Sequence, residues 1–277
     1  YKKAMVDGIP LWPNYFTKKK LDDIKSRFSD MGLVHKFAQE YMNEARDLES
    51  AKFKIDRINN YRGHIEERNG FNYMMIDESA IPVNVYVGVD LAYEANARSD
   101  YQVIVTIGID SDRNIYLIDY YREHSPLYDM PKRIIEVARQ YHPVRRVNVE
   151  KVGAQGLIKD HVNKLAGSDR KLAPGLSQGV RPPGGIKKED RLETLLCPIV
   201  NGRKLFIKKE HQGLVDEMFE FPKGRNDDLL DGLWYAVTTA KPPKSGAVEI
   251  SKLEERLENR EKSLANRTIN WITGQKI

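Results

Sequence analysis

The sequence predicts a mixed α/β domain, a sheet with helices on both faces, and three observations predict it. Three apolar runs follow one another closely: "VNVYVGVD" from Val83, "YQVIVTIGID" from Tyr101 and "NIYLIDYYRE" from Asn114, joined by short polar turns such as "DSDRN". Strand and helix patterns then alternate as far as Ala240. With 277 residues, 40% of them apolar and 31% charged, the chain is long enough to bury such a core.

Taken in order, residues 1–80 read as a charged, mostly helical lead-in. Thr17 is placed to cap a helix carrying Leu21, Ile24 and Phe28, and Leu33, Phe37, Tyr41 and Met42 recur at helical spacing. Residues 81–241 read as the α/β domain. Its three runs are expected to form an antiparallel meander. A helix over 128–141, with Ile134, Ile135, Val137 and Ala138 as its buried stripe, then leads to a strand "RRVNVE" over 145–150. A crossover of that length makes this strand parallel to the first. There follow a helix over 153–165, a Gly/Pro-rich loop to Gly185, a helix over 187–200, a short strand "KLFI", and helices over 210–221 and 228–240. Residues 242–277 read as a linker, "KPPKSG", and an amphipathic tail helix with Ile250, Leu253, Leu257 and Leu264 near heptad spacing.

Several classes are excluded. No run approaches the roughly 18 apolar residues of a membrane helix, and the first residues lack the order of a signal peptide. The chain begins at Tyr1, not Met, and is expected to be a piece of a longer polypeptide. A single cysteine, Cys197, rules out an intramolecular disulfide or a zinc-cysteine site within this chain and suits a reducing, cytoplasmic home. The net charge is only +5, so a basic surface has to come from clustering. Arg181, Lys187, Lys188, Arg191, Arg203, Lys204, Lys208 and Lys209 outnumber the acids among them, which suits a polyanion or, equally, a solvated face.

The residues that do not fit a core are carboxylates. A strand buried on both faces should not end in an unpaired acid, because desolvating one is expensive. Yet "VNVYVGVD" ends in Asp90 and "RRVNVE" in Glu150, and if the two strands are parallel neighbours these acids lie side by side at their carboxyl ends, where open α/β sheets place ligands. The last helix opens "NDDLLDGLWYA": Asp228 and Asp231 are three apart and share a face, while Asn226 or Asp227 can serve as cap. Five converging carboxylates with no arginine in their own motifs would repel one another, and divalent cations remove that repulsion. Oxygen-only ligands select Mg²⁺ or Mn²⁺, and a pair of such ions suits phosphodiester hydrolysis.

That order of motifs resembles the nuclease domain of the large terminase subunit of tailed bacteriophages. The resemblance runs from Val83 to Ala240 through "GVDLA", "RSDYQVIVTIG", "VNVEKVGAQG", "KKEDRLETLLCPIVNGRKLFI" and "NDDLLDGLWYA", and "PLWPNYF" and "FAQEYMNEA" look like the segment that joins this domain to the terminase ATPase. It implies a ribonuclease H-like fold and a metal-dependent endonuclease that cuts concatemeric double-stranded genome DNA during packaging. The implied partners are the portal and small terminase subunit, with no membrane, and the implied place of action is the host-cell cytoplasm. Carried over by motif, Asp90, Glu150 and Asp228 are the core ligands of two ions, Asp231 or Asp227 completes the second site, and Asp100 is auxiliary. The family often has His before the paired acids, where this chain has Asn226. No GxxxxGK[ST] occurs, so an ATPase motor would have to lie on a part not present.

For the substrate, Arg145, Arg146, Lys187, Lys188 and Arg191 are the expected phosphate-binding residues, and contacts of that kind carry no sequence information. His161 is assigned no role. Rival readings are a Holliday-junction resolvase or transposase core of the same fold, a noncatalytic DNA-binding scaffold, and an actin-like ATPase domain, disfavoured because "DLAYEANARSD" lacks a glycine-rich turn.

Overall fold

The apolar runs form a sheet because successive side chains of a strand point to opposite faces, and here each face meets its own helical layer. The computed structural model describes residues 4–6, 9–30, 37, 40–42, 51–91, 101–151, 155–224 and 226–244. Its elements are β1 (Met5–Val6), β2 (Ile9–Pro10), α1 (Lys18–Asp30), β3 (Asn59–Asn60), β4 (Gly63–Arg68), β5 (Phe71–Ile76), β6 (Ser79–Asp90), β7 (Gln102–Ile109), β8 (Ile115–Glu123), α2 (Met130–Gln140), β9 (Val144–Glu150), α3 (Gln155–Gly167), β10 (Ser177–Val180), α4 (Lys188–Asn201), β11 (Leu205–Ile207), α5 (Gln212–Glu220) and α6 (Asp228–Thr238). The main sheet runs in the order β10-β9-β6-β7-β8-β11-β3. As expected, β6, β7 and β8 are an antiparallel meander and β9 lies parallel to β6.

Alternation assigns the faces. Val85, Val87 and Val89 of β6 and Val147 and Val149 of β9 enter one core with Ile134 and Ile135 of α2 and Ile158 and Val162 of α3. Tyr86 of β6 and Val103, Val105 and Ile107 of β7 enter the other, with Leu192 and Leu196 of α4, Leu214 of α5 and Leu229, Leu230 and Leu233 of α6. Each leucine buried this way contributes about 2 kcal/mol of hydrophobic stabilisation. By the same alternation Gly88, Asp90, Asn148 and Glu150 all belong to the α6 face.

Two glycines let α6 lie close to the strands. A Cβ on Gly88 would stand 2.1 Å from the carbonyl oxygen of Gly232 and 2.3 Å from the nitrogen of Ala236, and a Cβ on Gly232 would meet Val105 Cγ2 at 2.7 Å. Across β9, the Asn148 side-chain amide donates to Tyr235 O at 2.7 Å and to Thr239 Oγ1 at 2.8 Å, fixing the helix in register.

Three expectations need correction. The lead-in is helical at α1, where Thr17 Oγ1 accepts from Lys20 N at 3.2 Å, but residues 59–76 are strands. β5 pairs antiparallel with the first half of β6, and β3 extends the main sheet beside β11. Neither stretch carried a strong alternation: β3 is two asparagines, and β5 buries Asn72 and Met74 on the face where an apolar pair would have given the signal; Phe53, just before them, is buried in the α6-side core. The Gly/Pro-rich loop to Gly185 contains β10, whose four residues pair parallel with β9. Last, the helix expected over 210–221 begins with a 3-10 turn, Lys209–His211, before α5. The expected tail helix, from Ile250 on, lies outside the described residues.

Candidate active site

Val89 of β6 stands opposite Val149 of β9, so the next residues, Asp90 and Glu150, are neighbours at the carboxyl ends of two parallel strands. On its other side Asp90 pairs with Val103 of β7, and Glu150 pairs with Val180 of β10. The first turn of α6 arrives over this edge because the Gly88–Gly232 contact seats the helix there. Asp90 thus feels the charges of Asp231, Glu150 and Asp228 together. Burial is the largest cause of the displacement of its carboxyl group far above the usual range, followed by Asp231 and Glu150, with Lys188 opposing and Asp228 adding. The three acid-bearing segments, 60 and 78 residues apart in sequence between Asp90, Glu150 and Asp228, are brought to one place.

The helix acids are not left to repel one another. Lys188 Nζ, from the first turn of α4, pairs with Asp227 at 2.7 Å and with Asp231. Arg191, one turn on, pairs with Asp231 at 2.5 Å and lies over the Trp234 ring at 4.8 Å. Arg122, at the end of β8, reaches Asp228 at 3.4 Å and Glu217 at 3.2 Å. Asp231 is 2% exposed, and burial drives its carboxyl up to about 6 although Lys188 and Arg191 pull it down. Lys188 is held above the usual lysine range by Asp231 and Asp227, against the opposing effect of its burial. The expectation that mutual repulsion governs all five acids is therefore corrected. It holds for Asp90 and Glu150, for which no ion pair occurs among the described residues. Among the described residues no three acids already surround a single point as a ready-made ion cage.

The capping expectation also changes. Asp227 stands at the cap position of α6 but its side chain makes no capping hydrogen bond. Instead Glu217 Oε2, reaching over from α5, accepts from Leu229 N at 2.9 Å and Leu230 N at 3.1 Å. Burial pushes Glu217 up to about 7 despite Arg122. Sequence reading missed both Glu217 and Arg122. Glu217 at an inward position of a helix otherwise lined by Leu214, Val215 and Met218 was the available signal.

The expected phosphate-binding set divides. Lys187 is exposed at the cap position of α4, next in sequence to Lys188. Lys188 and Arg191 are beside the acids of α6 but committed to carboxylates. Arg145 and Arg146 are not brought there: they sit four and five residues before Glu150, roughly 13 to 17 Å along the strand, at the opposite end of the sheet. Arg145 Nε instead donates to Asn84 Oδ1 at 2.9 Å. Asp100 lies outside the described residues.

The antiparallel trio β8-β7-β6, followed by β9 and β10 parallel to β6, with α6 across the centre, is a mixed sheet covered by helices on both faces, as the sequence predicts. Among solved structures, the chain is similar to the large terminase nuclease of the thermophilic phage G20c crystallised with bound zinc, at 14% identity over 69% of this chain and 98% of that one, with a TM-score of 0.46. It is similar also to the P22 large terminase nuclease domain (13%, 64% and 84%, 0.40) and to the yeast mitochondrial Holliday junction resolvase (12%, 58% and 81%, 0.39). No family model and no curated protein matches the chain. No helix among the described residues is long and apolar enough to cross a membrane.

Proposed function

We propose that this chain is a metal-dependent endonuclease that cleaves concatemeric double-stranded viral DNA during genome packaging, the nuclease part of a large terminase subunit. The observation that carries the reading is the emergence of Asp90 and Glu150 side by side on the α6 face of the sheet, under the turn that bears Asp228 and Asp231. A fold gains little from two adjacent strand-end carboxylates that have no ion pair of their own among the described residues. A hard cation would neutralise them, and the all-oxygen donor set fits Mg²⁺ or Mn²⁺.

Asp90, Glu150 and Asp228 would hold such ions, with Asp231, Asp227 and Asp100 as further candidates. Bound there, divalent ions supply the neutralisation and water activation that phosphodiester hydrolysis requires. The chain's own residues do the rest. The paired strands hold Asp90 and Glu150 rigidly, Arg122 and Glu217 fix the turn that carries Asp228, and Lys187 meets the DNA backbone. Attack of water on phosphorus, with loss of the 3′ oxygen, leaves 5′-phosphate and 3′-hydroxyl ends. Backbone contacts alone make the cut sequence-tolerant. Double-stranded DNA is the substrate, with portal and small terminase subunit as partners in the complete motor, in the host-cell cytoplasm. The nuclease unit of this reading is 81–241 together with the strands β3 and β5 that complete its sheet; 1–80 otherwise leads in from an ATPase, and 242–277 is an appended tail.

The test is cleavage of linear duplex and of a four-way junction by the purified chain with Mg²⁺, with Mn²⁺ and with chelator. Duplex cleavage that needs a divalent ion is expected. A strong preference for the junction would transfer the reading to a resolvase, and metal-independent or absent cleavage of both would overturn it.

A further inference from the structure

The cations around the α6 turn are distributed unevenly. The strand acids Asp90 and Glu150 have no ion pair among the described residues, whereas Asp231, the most buried of the acids, is held by two: Lys188 and Arg191. The two are not equivalent. Arg191 is built in, its side chain 9% exposed and its guanidinium stacked over Trp234 and 5.7 Å from the Tyr235 ring. Among the described residues Lys188 is anchored only by the carboxylates themselves; its side chain is 40% exposed, and its ammonium bridges Asp227, also 40% exposed, and Asp231. It stands in the first turn of α4, directly after a loop with Gly184 and Gly185, and has exposed Lys187 as its neighbour. A lysine is a compact point charge on a flexible stem, well suited to exchange one anion for another.

Resting on the proposed nuclease function, we propose that Lys188 is a built-in stand-in cation: while its ammonium bridges Asp227 and Asp231, the helix side of the site is closed to a second divalent ion. The resting protein then takes one ion, on the strand side at Asp90 and Glu150. Moving Lys188 away opens the second place. In the proposed reaction the competing anion is a DNA phosphate, so the ion complement follows the substrate: DNA that draws Lys188 off favours the second ion, and by reciprocity the second ion favours DNA. Lys188 also opposes the charge build-up on Asp90, which places it within electrostatic reach of both halves of the site. In this role Lys188 acts through the carboxylates and is a positioning residue.

The test counts ions without asking for activity. The full 277-residue chain, free of DNA, is titrated calorimetrically with Mn²⁺ as wild type and as Lys188→Met, which keeps the apolar stem and removes the charge. Wild type is expected to take one Mn²⁺. K188M is expected to take a second, with affinity on the helix side higher by at least roughly tenfold, the effect of removing one unit charge at contact distance. The same variant should melt lower than wild type in chelator and recover with Mn²⁺. If K188M does not fold, Lys188→Gln, which keeps a donor toward both carboxylates, carries the measurement. Should both variants fail to fold, the wild-type count decides alone, one ion supporting the proposal and two overturning it. Two ions in wild type, or an unchanged or weakened count in the variant, would overturn the stand-in role and leave the nuclease reading intact. No Mn²⁺ bound by either protein would overturn the nuclease reading itself.

Discussion

Two aspartates end neighbouring strands of the same sheet and meet opposite fates. Asp110, directly after β7, is 3% exposed and accepts from Asp112 N at 2.9 Å, Asn114 N at 2.8 Å, Asn114 Nδ2 at 2.8 Å and Tyr116 Oη at 3.0 Å. Every lone pair of consequence is used within its own turn, so this acid builds the β7–β8 connection and has nothing left for a ligand. Asp90, at the end of β6, receives none of these donors among the described residues and is surrounded by further acids. A buried acid whose donors come from its own turn belongs to the fold; one whose neighbours are other acids from distant parts of the chain is, under the proposed function, the place for a cation.

Substitution by the isosteric amide separates the two most strongly. Asp90→Asn should lower duplex cleavage by at least about a hundredfold while leaving metal-free stability equal or higher, since it removes a charge its surroundings oppose. Asp110→Asn should do the reverse, costing about 2 kcal/mol or more because donors now face an amide, with cleavage per folded molecule unchanged. Plasmid-nicking assays and urea denaturation of both variants measure this. Similar stability losses for both would erase the distinction.

The seating of α6 is tested chiefly by stability. Gly88→Ala forces a Cβ onto the Gly232 carbonyl and should destabilise by about 3 kcal/mol or more in urea titrations, since the obstacle is backbone and cannot rotate away. Glu217→Ala removes the acceptor of two first-turn N–H groups and should cost about 1 to 2 kcal/mol, with cleavage falling further as the turn carrying Asp228 loosens.

The two kinds of acid also respond to pH with opposite signs. Asp231 is raised in the folded chain to about 6, above its unfolded value of about 3.9, so its contribution is fully present below about 4 and is lost as pH rises through 6 in metal-free buffer. Asp119 on β8 is lowered, chiefly by the neighbouring His211 imidazole, whose Nε2 stands 3.7 Å away, and further by hydrogen bonds from the Tyr141 hydroxyl and the Tyr120 N–H, against its partial burial. Its contribution is present above about 4 and is lost as pH falls through the folded value. Thermal melts against pH should show Asp231→Asn flattening the decline between about 4 and 6, and Asp119→Asn flattening only the acid limb below about 4. The smallest effect expected is that of Lys187→Glu, which should weaken binding of all duplex sequences alike and reduce the salt dependence by about one unit of slope, measured by fluorescence anisotropy at several salt concentrations.

How much of this was legible in the sequence follows from where each signal is written. The meander and the parallel return of β9 could be read because "VNVYVGVD" and its successors carry their burial in their own composition. Asp90 and Glu150 could be read as neighbours because parallel pairing fixes which ends coincide. β10 could not: four residues, "SQGV", of which only Ser177 is buried, look like the loop around them. The same holds for the cations. That Lys188 and Arg191 face Asp231, 40 or more residues away, depends on how α4 crosses α6, which no local pattern encodes, and so the charge balance around these acids was misjudged although the adjacency of Asp90 and Glu150 was legible.

β6 is 12 residues long, and its first half belongs to the hairpin partner β5 while its second half belongs to β7 and β9. A shift of this strand by one residue would carry Asp90 to the α2 side of the sheet and bring Val89 to the rim, dispersing the acidic edge and turning Val85, Val87 and Val89 out of their core. Because the strand is clamped at both ends by different partners, such slippage would have to break two ladders at once. The outer hairpin thereby acts as a register lock for an acid it never touches.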